Sequence, residues 1–359
     1  MTTTSRHASE DAHEQFARDA SHVGDPVVMS TMWGSSPGWR SHVDFYVPET
    51  PEAIGTPRDL LRLLRLAPGK RGLILLGSVS RRHRYRDFVL ALLVKMTRRP
   101  SRRPRILLTD ATWEPESRSL SRLTGVPSRW FALPQKLMIR AIDGPHVHYA
   151  VLSRQERETF PDLWSVDPER VVFTPFPATI DPATPTTTGD YLFAGGTSYR
   201  DYDLLEEAVR PLDVPCRIAA DWQPRRPHPR ITAGLVPHEE FVRLLAGCRV
   251  AVVPLQDRHR SAGQQSYLNA MLLRKPVVVT DAPGVRDYIE DGVTGVVVPP
   301  EPEALRAAIR DVLDPARAAH YDEMGRRARA WVLTHATSDI YKDDVLLDAI
   351  GLRRDPDRS

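Results

Sequence analysis

The chain has 359 residues, a formal net charge of +3, 41% hydrophobic residues and 26% charged residues. This composition is ordinary for a globular protein, and the length suggests two domains or one large one. The longest uncharged apolar run in the first half, Phe88–Val94, is much shorter than the ~20 residues that a membrane-spanning helix needs. These features exclude a transmembrane protein.

The N-terminal region and the cysteines indicate the compartment. Residues 1–24 are polar and lack periodicity, so we expect a disordered tail and no secretory signal. Cys216 and Cys248 cannot form a disulfide framework, and we interpret both as small buried residues. We therefore expect a cytoplasmic protein.

Short runs of branched apolar residues alternate with helical patterns along the first half. The predicted strands are Val27–Met29, Leu73–Leu76, Ile106–Thr109, His148–Leu152 and Val171–Phe173, and a helix is predicted over Pro57–Leu66. Continuous apolar runs of this kind are typical of strands that are buried on both faces of a parallel sheet.

The same alternation continues in the second half. The predicted strands are Tyr191–Ala194, Arg217–Ala220, Ile231–Ala233, Val250–Val253, Val277–Thr280 and Val296–Val298. The predicted helices are Asp201–Val209, His238–Ala246, Gln264–Leu273, Pro302–Leu313, Ala316–Val332 and a last one over Thr337–Ile350. Strand–helix alternation repeated this often predicts an α/β protein with parallel sheets.

A segment rich in proline and threonine, residues 177–190, separates the two strand–helix series. Such composition is typical of an interdomain linker. We therefore predict a first domain over 25–180, a linker over 181–189 and a second domain over 190–335. The helix and tail over 336–359 could belong to either domain.

The predicted strand ends indicate where a ligand would bind, because open α/β sheets bind ligands at the carboxyl ends of their strands. Gly195 and Gly196 follow one strand and would let backbone amides approach a ligand closely; the alternative is a tight turn. Arg200 begins the next helix, where a cation opposes the helix dipole. It either serves a ligand or is a solvated or ion-paired residue.

A second group of candidates opens the helix that begins near residue 264. The free N–H groups at this helix start form an anion site, to which polar side chains could add donors. The alternative is simple capping of the helix. The residues in question are Gly263, Gln264, Gln265 and Ser266, with Asn269 one turn further along and Asp110 at the end of a first-domain strand.

Other chemistry lacks a signature in the sequence. The chain has neither GxGxxG nor GxxxxGK[ST] spacing, so the dinucleotide and P-loop fingerprints do not apply. Its histidines and cysteines form no pair with zinc-ligand spacing. We expect no metal and no cofactor.

The second half of the chain resembles the donor-binding half of retaining, nucleotide-sugar-dependent glycosyltransferases of family 4, which have the two-domain GT-B fold. The resemblance lies in YLFAGGTSYRDYDLLEEAV (191–209), VPHEEFVRLLAGCRVAVVPL (236–255) and SAGQQSYLNAMLLRKPVVVTDAPGVRDYIEDGVTGVVVPPEPEALRAAI (261–309). It implies two Rossmann-like domains facing across a cleft, the first for the acceptor and the second for the nucleotide sugar.

The resemblance also implies roles for single residues. Gly195 and Gly196 would face the donor diphosphate, and Arg200 takes the place of the basic residue that binds it. A second basic residue, usual after the first glycine of the family, is missing, so Arg258 or Arg260 would have to contribute. The two Glu residues that the family carries eight positions apart are here Ser261 and Asn269.

The strand-end and helix-start candidates and the roles that the resemblance implies together give the predicted site. The donor-binding residues are Gly195, Gly196, Arg200, Gly263, Gln264, Gln265, Ser266 and Asn269, and the catalytic candidates are Arg200 and Asp110. Asp110 stands where the first domain of the family often has a His.

The predicted function is transfer of a sugar from a nucleoside diphosphate sugar, with UDP as the first choice of nucleotide, to an acceptor hydroxyl or amine. Retention of configuration follows only from the resemblance. Two alternatives stay open: an epimerase or hydrolase of the same fold that acts on nucleotide sugars, and a catalytically silent binding partner, which the missing Glu pair favours.

The segment Lys70–Arg105 is strongly basic, with a single acidic residue, Asp87. Its basic residues could face acidic lipid head groups or an anionic acceptor; the alternative is a solvated Arg-rich surface, since nearly all basic residues of the chain are Arg. The interleaved apolar run suits a helix buried under the first-domain sheet. We expect no nucleic acid partner.

Overall fold

The computed structural model describes residues 28–31, 43–46, 48, 50, 53–77, 85–111, 113, 132–258 and 260–352. The predicted tail, residues 1–24, lies outside them, as do Arg81, Arg82 and Arg84 of the basic segment. Within the described residues the chain forms two six-stranded sheets. None of the helices described is long and apolar enough to cross a membrane.

The first sheet is built from the first half of the chain. Its strands are β1 (Val28–Ser30), β2 (Val43–Phe45), β3 (Gly72–Leu76), β4 (Arg105–Thr109), β5 (Val147–Val151) and β6 (Val171–Phe173), with helices α1 (Pro57–Leu66), α2 (Arg86–Thr97), α3 (Ala132–Ile142) and α4 (Arg154–Trp164). All pairings are parallel, in the order β2-β1-β3-β4-β5-β6. The order reverses between β1 and β3.

The second sheet contains β7 (Leu192–Gly195), β8 (Cys216–Ala219), β9 (Ile231–Gly234), β10 (Val250–Val253), β11 (Val277–Thr280) and β12 (Val296–Val298). Its helices are α5 (Tyr202–Val209), α6 (His238–Gly247), α7 (Gln264–Leu272), α8 (Pro302–Leu313) and α9 (Ala318–His335). All strands are parallel, in the order β12-β11-β10-β7-β8-β9. The order reverses between β7 and β10, where doubly wound sheets bind ligands.

The predicted fold class is confirmed, because both sheets are parallel and helices alternate with their strands along the chain. Every residue of β10 and of β11 is buried. Helix α7 is buried nearly all round and packs between this sheet and the rest of the second-domain core. The continuous apolar runs of β10 and β11 thus form central strands of the second sheet, as the sequence pattern predicts.

Strand β2 and the helices α3 and α4 were not predicted from the sequence. Strand β2 is only three residues long and carries the charged Asp44 at its centre, so it shows no apolar run. Helix α4 contains Pro161 and many charges, which weaken its helical pattern. The run Phe88–Val94 lies in α2, where Phe88, Leu90, Ala91 and Val94 are buried, in agreement with the predicted burial under the first sheet.

The C-terminal segment returns to the first domain. After α9 comes a π-helical stretch, Ile340–Leu346, and a short helix, Leu347–Ala349, where a single helix was predicted. Tyr341, Leu346, Leu347 and Ile350 pack in one cluster with Val28, Val43, Ile74, Leu107 and Ala150 of the first sheet. Arg105 on β4 also donates to the Ile350 carbonyl at 2.6 Å. The last segment therefore covers the first-domain sheet.

Candidate functional site

A cavity of about 410 Å³ lies at the carboxyl ends of β7 and β10, with walls from both domains. It brings together nearly all of the predicted site residues, which are far apart in the chain. Its lining includes the predicted Asp110, Gly196, Arg200, Gly263, Gln264, Gln265, Ser266 and Asn269, and also Leu152, Phe176, Ile180, Thr197, Ser198, His238, Phe241, Arg260, Ser261 and Ala262. Gly195 ends β7 directly behind this lining.

The two glycines are required at these positions by packing and by backbone conformation. A Cβ at Gly195 would lie 2.4 Å from the Phe241 ring. Gly196 has a φ of +107°, and a Cβ there would lie 2.8 Å from Nη2 of Arg200. A larger residue at Gly195 would therefore collide with Phe241, and one at Gly196 would strain the backbone and displace Arg200.

Arg200 is held by three acceptors, and none of them is an acidic side chain. Its Nε donates to the Gly195 carbonyl at 3.2 Å, its Nη1 to the Ser198 carbonyl at 2.5 Å, and its Nη2 to Oγ of Ser266 at 2.8 Å. No carboxylate among the described residues forms an ion pair with it, and burial lowers its pKa. A desolvated cation without a counter-charge in the wall of a cavity favours an anionic ligand.

Arg200 does not begin helix α5 by capping it. The cap is Asp201, whose carboxylate accepts from the Leu204 amide at 2.9 Å. Asp201 thus accepts the hydrogen bond of a free amide at the helix start, and the Arg200 side chain lines the cavity instead.

The start of α7 lies at the same end of the cavity as Arg200. Gly263 is the N-cap residue with a φ of +92°, and no side chain caps this helix. The Ser266 hydroxyl donates to the Gly195 carbonyl at 3.2 Å, which ties α7 to the end of β7. The helix start, the glycine loop and Arg200 therefore form one positively polarised wall.

Two polar side chains of α7 bind Thr179 and Ile180, which belong to the Pro- and Thr-rich segment 177–190 between the domains, called the linker from here on. Oδ1 of Asn269 accepts from the amides of Thr179 and Ile180 at 2.7 and 3.2 Å. Nδ2 of Asn269 and Nε2 of Gln265 each donate to Oγ1 of Thr179 at 3.0 Å. Asn269 was predicted to bind the donor; it lines the cavity, but its acceptor oxygen is occupied by the linker backbone.

Ser261 occupies one of the two positions where the resemblance leads one to expect Glu. A carboxylate does lie at this place, but it belongs to Glu156 of α4 in the first domain. Its Oε1 accepts from the Ser261 amide at 3.1 Å and its Oε2 from the Ser261 hydroxyl at 3.0 Å. Burial raises the pKa of Glu156, and these hydrogen bonds oppose the rise.

The second cation in the cavity wall is Arg260. Its guanidinium lies 4.6 Å from the centre of the Tyr199 ring, and its Nη2 donates to Oγ of Ser198 at 3.4 Å. Arg258, the other candidate, donates to Oε1 of Gln256 and does not line the cavity. Of these two arginines, Arg260 is therefore the one that lines the cavity.

Asp110 follows β4 and contributes to the cavity from the first-domain side. Its φ of +51° is a left-handed conformation that Asp and Asn adopt more readily than other side chains. The carboxyl end of β4 is thus turned so that Asp110 lies opposite the wall formed by the second domain.

Several lining residues were missed in the sequence. His238 and Phe241 belong to α6. Leu152 follows β5, and Phe176 follows β6, shortly before the linker. His238 and Phe241 lie in the segment 236–255 that carries the resemblance, but no role was predicted for either of them. Only the strand order, which places β7 beside β10, would have indicated that the start of α6 faces this cavity.

The two cysteines are free thiols that lie in the protein interior. Cys216 and Cys248 are both free and buried, as predicted, and burial raises the pKa of each to about 12. Across the part of the chain that the structure describes, no three His, Cys, Asp or Glu side chains are grouped as metal ligands.

Most of the described basic residues between 70 and 105 are used inside the first domain. Arg86 pairs with Asp87, and Lys70 pairs with Asp44. Lys95, Arg103 and Arg105 donate to backbone carbonyls of neighbouring segments. Arg71, Arg99, Arg102 and Arg105 are exposed. Several of the described basic residues of this segment are thus bound to groups of the protein itself.

Part of the second domain matches a known protein family. The family described as glycosyl transferases group 1 matches residues 220–315, which include the start of α7 and Arg260. A curated relative, the alpha-D-kanosaminyltransferase of Streptomyces kanamyceticus, is 37% identical over 89 residues. That match covers 24% of this chain and 22% of the relative.

Solved structures match over nearly the whole chain. A glycosyltransferase from Rickettsia africae superposes with a TM-score of 0.60 at 13% identity, over 90% of this chain and 89% of the other. HepE of Anabaena, solved in complex with UDP and glucose, gives 0.62 at 11% identity, over 91% and 100%. At these identities the likeness concerns the fold. Residues 220–315 of this chain thus match the group 1 glycosyltransferase family, and the chain as a whole has the two-domain GT-B fold of these structures.

Proposed function

We propose that this protein is a glycosyltransferase that moves a sugar from a nucleoside diphosphate sugar to a hydroxyl or amine of an acceptor, with retention of configuration. UDP is the first choice of nucleotide, since HepE of Anabaena was solved with UDP and with UDP-glucose. The proposal rests on one observation above all. Arg200, which lacks a carboxylate partner among the described residues, meets the glycine loop and the start of α7 in one cavity wall.

That arrangement suits the chemistry of glycosyl transfer. As the glycosidic bond to the diphosphate breaks, negative charge grows on the leaving phosphate oxygens. A cation and backbone amides that are already oriented stabilise this charge without reorganising. Arg200 would face the diphosphate, Arg260 would add a second positive charge, and Asp110 on the opposite wall would orient the acceptor or the sugar.

A thermal-shift screen with UDP, GDP, TDP and ADP tests the donor site. A nucleotide at 100 times its dissociation constant stabilises the fold by about 2.7 kcal/mol, so the true donor nucleotide should raise the melting temperature by several degrees. If none of the four shifts melting at millimolar concentration, the donor site is wrong.

The chemistry is tested by incubating the protein with the sugar nucleotide that this screen selects, with and without sugar acceptors. A glycosyltransferase releases the nucleotide faster when an acceptor is present. Release or epimerisation that is independent of any acceptor would favour the epimerase or hydrolase alternative. Nucleotide binding without turnover in a broad acceptor screen would favour a silent binding protein.

Asp110 is tested by Asp110→Asn. Asn tolerates the same left-handed backbone and removes only the charge, so the fold and nucleotide binding should be retained. We expect turnover to fall by on the order of 100-fold, a typical cost of misplacing a reacting group. Turnover equal to the wild type would remove Asp110 from the catalytic candidates.

We also propose a weak contact with anionic membranes. The exposed Arg99 and Arg102 follow α2, and Met96 on the last turn of that helix is 73% exposed. Each basic residue near an acidic bilayer contributes about 1 kcal/mol. Sedimentation with vesicles containing anionic lipid should capture the protein at low salt, and Arg99→Ala with Arg102→Ala should reduce the captured fraction. Equal capture by neutral vesicles would contradict this.

A further inference from the structure

Glu156 is a buried carboxylate that connects the two domains. It lies on α4 of the first domain and is 6% exposed. Within its own domain, Oε2 accepts from the Leu152 amide and from the Ser153 hydroxyl, both at 3.0 Å. Across the boundary it accepts from both the amide and the hydroxyl of Ser261, as described above. Both carboxylate oxygens therefore accept hydrogen bonds, and Ser261 of the second domain donates two of the four.

The local sequence explains why the carboxylate is in this position. Ser153 is the N-cap of α4 and accepts from the Glu156 amide at 3.1 Å. A Ser followed three residues later by Glu is the pattern of a capping box, in which the Glu turns back over the helix start. Here the same turn directs the carboxylate toward Ser261 of the facing domain.

The domain boundary is closely packed at this point. A Cβ at Gly284 would lie 2.6 Å from Cβ of Ser261 and 2.8 Å from Cβ of Ser153. Further hydrogen bonds join the same segments, from the Arg154 amide to Asp287 at 2.8 Å and from the Tyr288 hydroxyl to the Leu152 carbonyl at 2.7 Å. The Glu156–Ser261 contact is thus part of a closely packed interface between the two domains.

The contact extends into the cavity through Gln264. Nε2 of Gln264 donates to the Ser261 hydroxyl at 2.7 Å, and that hydroxyl donates to Glu156. Gln264 is the first residue of α7, and both Ser261 and Gln264 line the cavity, whereas Glu156 does not. The carboxylate therefore sets the direction of the Ser261 hydroxyl proton, and with it the orientation of the Gln264 amide.

We infer that Glu156 is a positioning residue for the donor site: through Ser261 it orients Gln264 at the start of α7, and this arrangement exists only while the two domains are in contact. The inference rests on the proposed nucleotide site. It links domain closure to ligand affinity, because separating the domains removes the carboxylate that orders this part of the wall. A nucleoside diphosphate that binds the ordered wall would in turn favour the closed arrangement.

The experiment is a double-mutant cycle on nucleotide affinity. Wild type, Glu156→Gln, Gln264→Ala and the double variant are titrated calorimetrically with UDP and with GDP, and their melting temperatures without nucleotide are recorded. Glu158→Gln, on an exposed position of the same helix, is the matched control. If Glu156 acts through Gln264, each single variant should weaken binding about tenfold, and the double variant should be no weaker than either.

Each outcome separates the inference from the function on which it rests. Wild type that binds neither nucleotide overturns the donor site and this inference with it. Wild type that binds, together with Glu156→Gln that binds equally well, overturns the inference alone. A double variant weakened about 100-fold, the product of the two tenfold effects, also overturns it, since the residues would then act independently. If Glu156→Gln does not fold, Ser261→Ala replaces it in the same cycle, because it removes the hydroxyl that connects the two side chains.

Discussion

Arg200 and Ser266 join the two chain segments that form the positively polarised wall of the cavity. Nη2 of Arg200 donates to Oγ of Ser266 at 2.8 Å, and that hydroxyl donates onward to the Gly195 carbonyl at 3.2 Å. The end of β7 and the start of α7 are therefore held in one fixed arrangement around the guanidinium. A cation held this way before a ligand arrives loses little conformational entropy on binding.

The first prediction concerns the guanidinium. Arg200→Ala removes the unpaired positive charge and should weaken nucleoside diphosphate binding strongly. It should also lower turnover by on the order of 100-fold, as for loss of one preorganised donor. Titration calorimetry and initial rates provide the two measurements. Arg260→Ala should weaken binding less, and Arg258→Ala, outside the cavity lining, should leave affinity near that of the wild type. Equal effects of all three would indicate a diffuse electrostatic contribution.

The second prediction concerns Gly196. Gly196→Ala forces a Cβ into a position 2.8 Å from Nη2 of Arg200 and strains a φ of +107°. We expect a loss of roughly 1–2 kcal/mol of stability from the backbone and a clear loss of nucleotide affinity from the displaced arginine. Gly234→Ala is the control, because a Cβ there meets nothing within 4 Å. Urea unfolding and nucleotide titration of both variants would reveal whether the effect is specific to the loop.

The third prediction separates the two possible roles of Asn269. Asn269→Ala leaves the buried Ile180 amide without its acceptor, which costs about 1–3 kcal/mol, so the melting temperature should fall even without ligand. Asn269→Asp keeps the acceptor for the linker amides and should melt closer to the wild type. A loss of nucleotide affinity in Asn269→Asp without loss of stability would instead favour a direct contact with the donor.

The fourth prediction concerns acid sensitivity of the first domain. Burial, with Arg103 and Lys95 nearby, lowers the pKa of His146 from 6.5 to about 4. The unfolded chain therefore binds a proton from about pH 6.5 downward, and the folded chain does so only near its lower pKa. The stability that His146 contributes is present above its unfolded pKa and is lost as pH falls towards its folded pKa, by at most about 3 kcal/mol.

His146→Gln removes this titration, so its urea midpoint should fall less than that of the wild type between pH 7 and pH 4.5. His148, whose pKa burial also lowers, remains in the variant and keeps part of the acid sensitivity. His320→Gln, at an exposed position, serves as the control and should follow the wild type. Identical pH profiles for wild type and His146→Gln would mean that His146 is protonated equally in both states.

The sequence was sufficient for the elements whose pattern is decided locally. Strands such as β10 and β11 are continuous runs made mostly of valine, a pattern that is typical of strands buried on both faces. Strand β2 and helix α4 escaped prediction because Asp44 and Pro161 interrupt their patterns, and tertiary packing overrides such local signals. The same holds for the C-terminal segment, whose domain is decided by the sheet that it covers.

The candidate site divides in the same way. The amino-acid sequence by itself determined the residues that need a particular chemistry at a strand end or a helix start: Gly195, Gly196, Arg200 and the Gly263–Ser266 turn. Only the tertiary structure decided that Arg260 and not Arg258 lines the cavity, that Asn269 binds the linker, and that Glu156 meets Ser261. These three relations join segments that are distant in the chain. Their geometry depends on how the two sheets and the linker pack, and no local pattern encodes that packing.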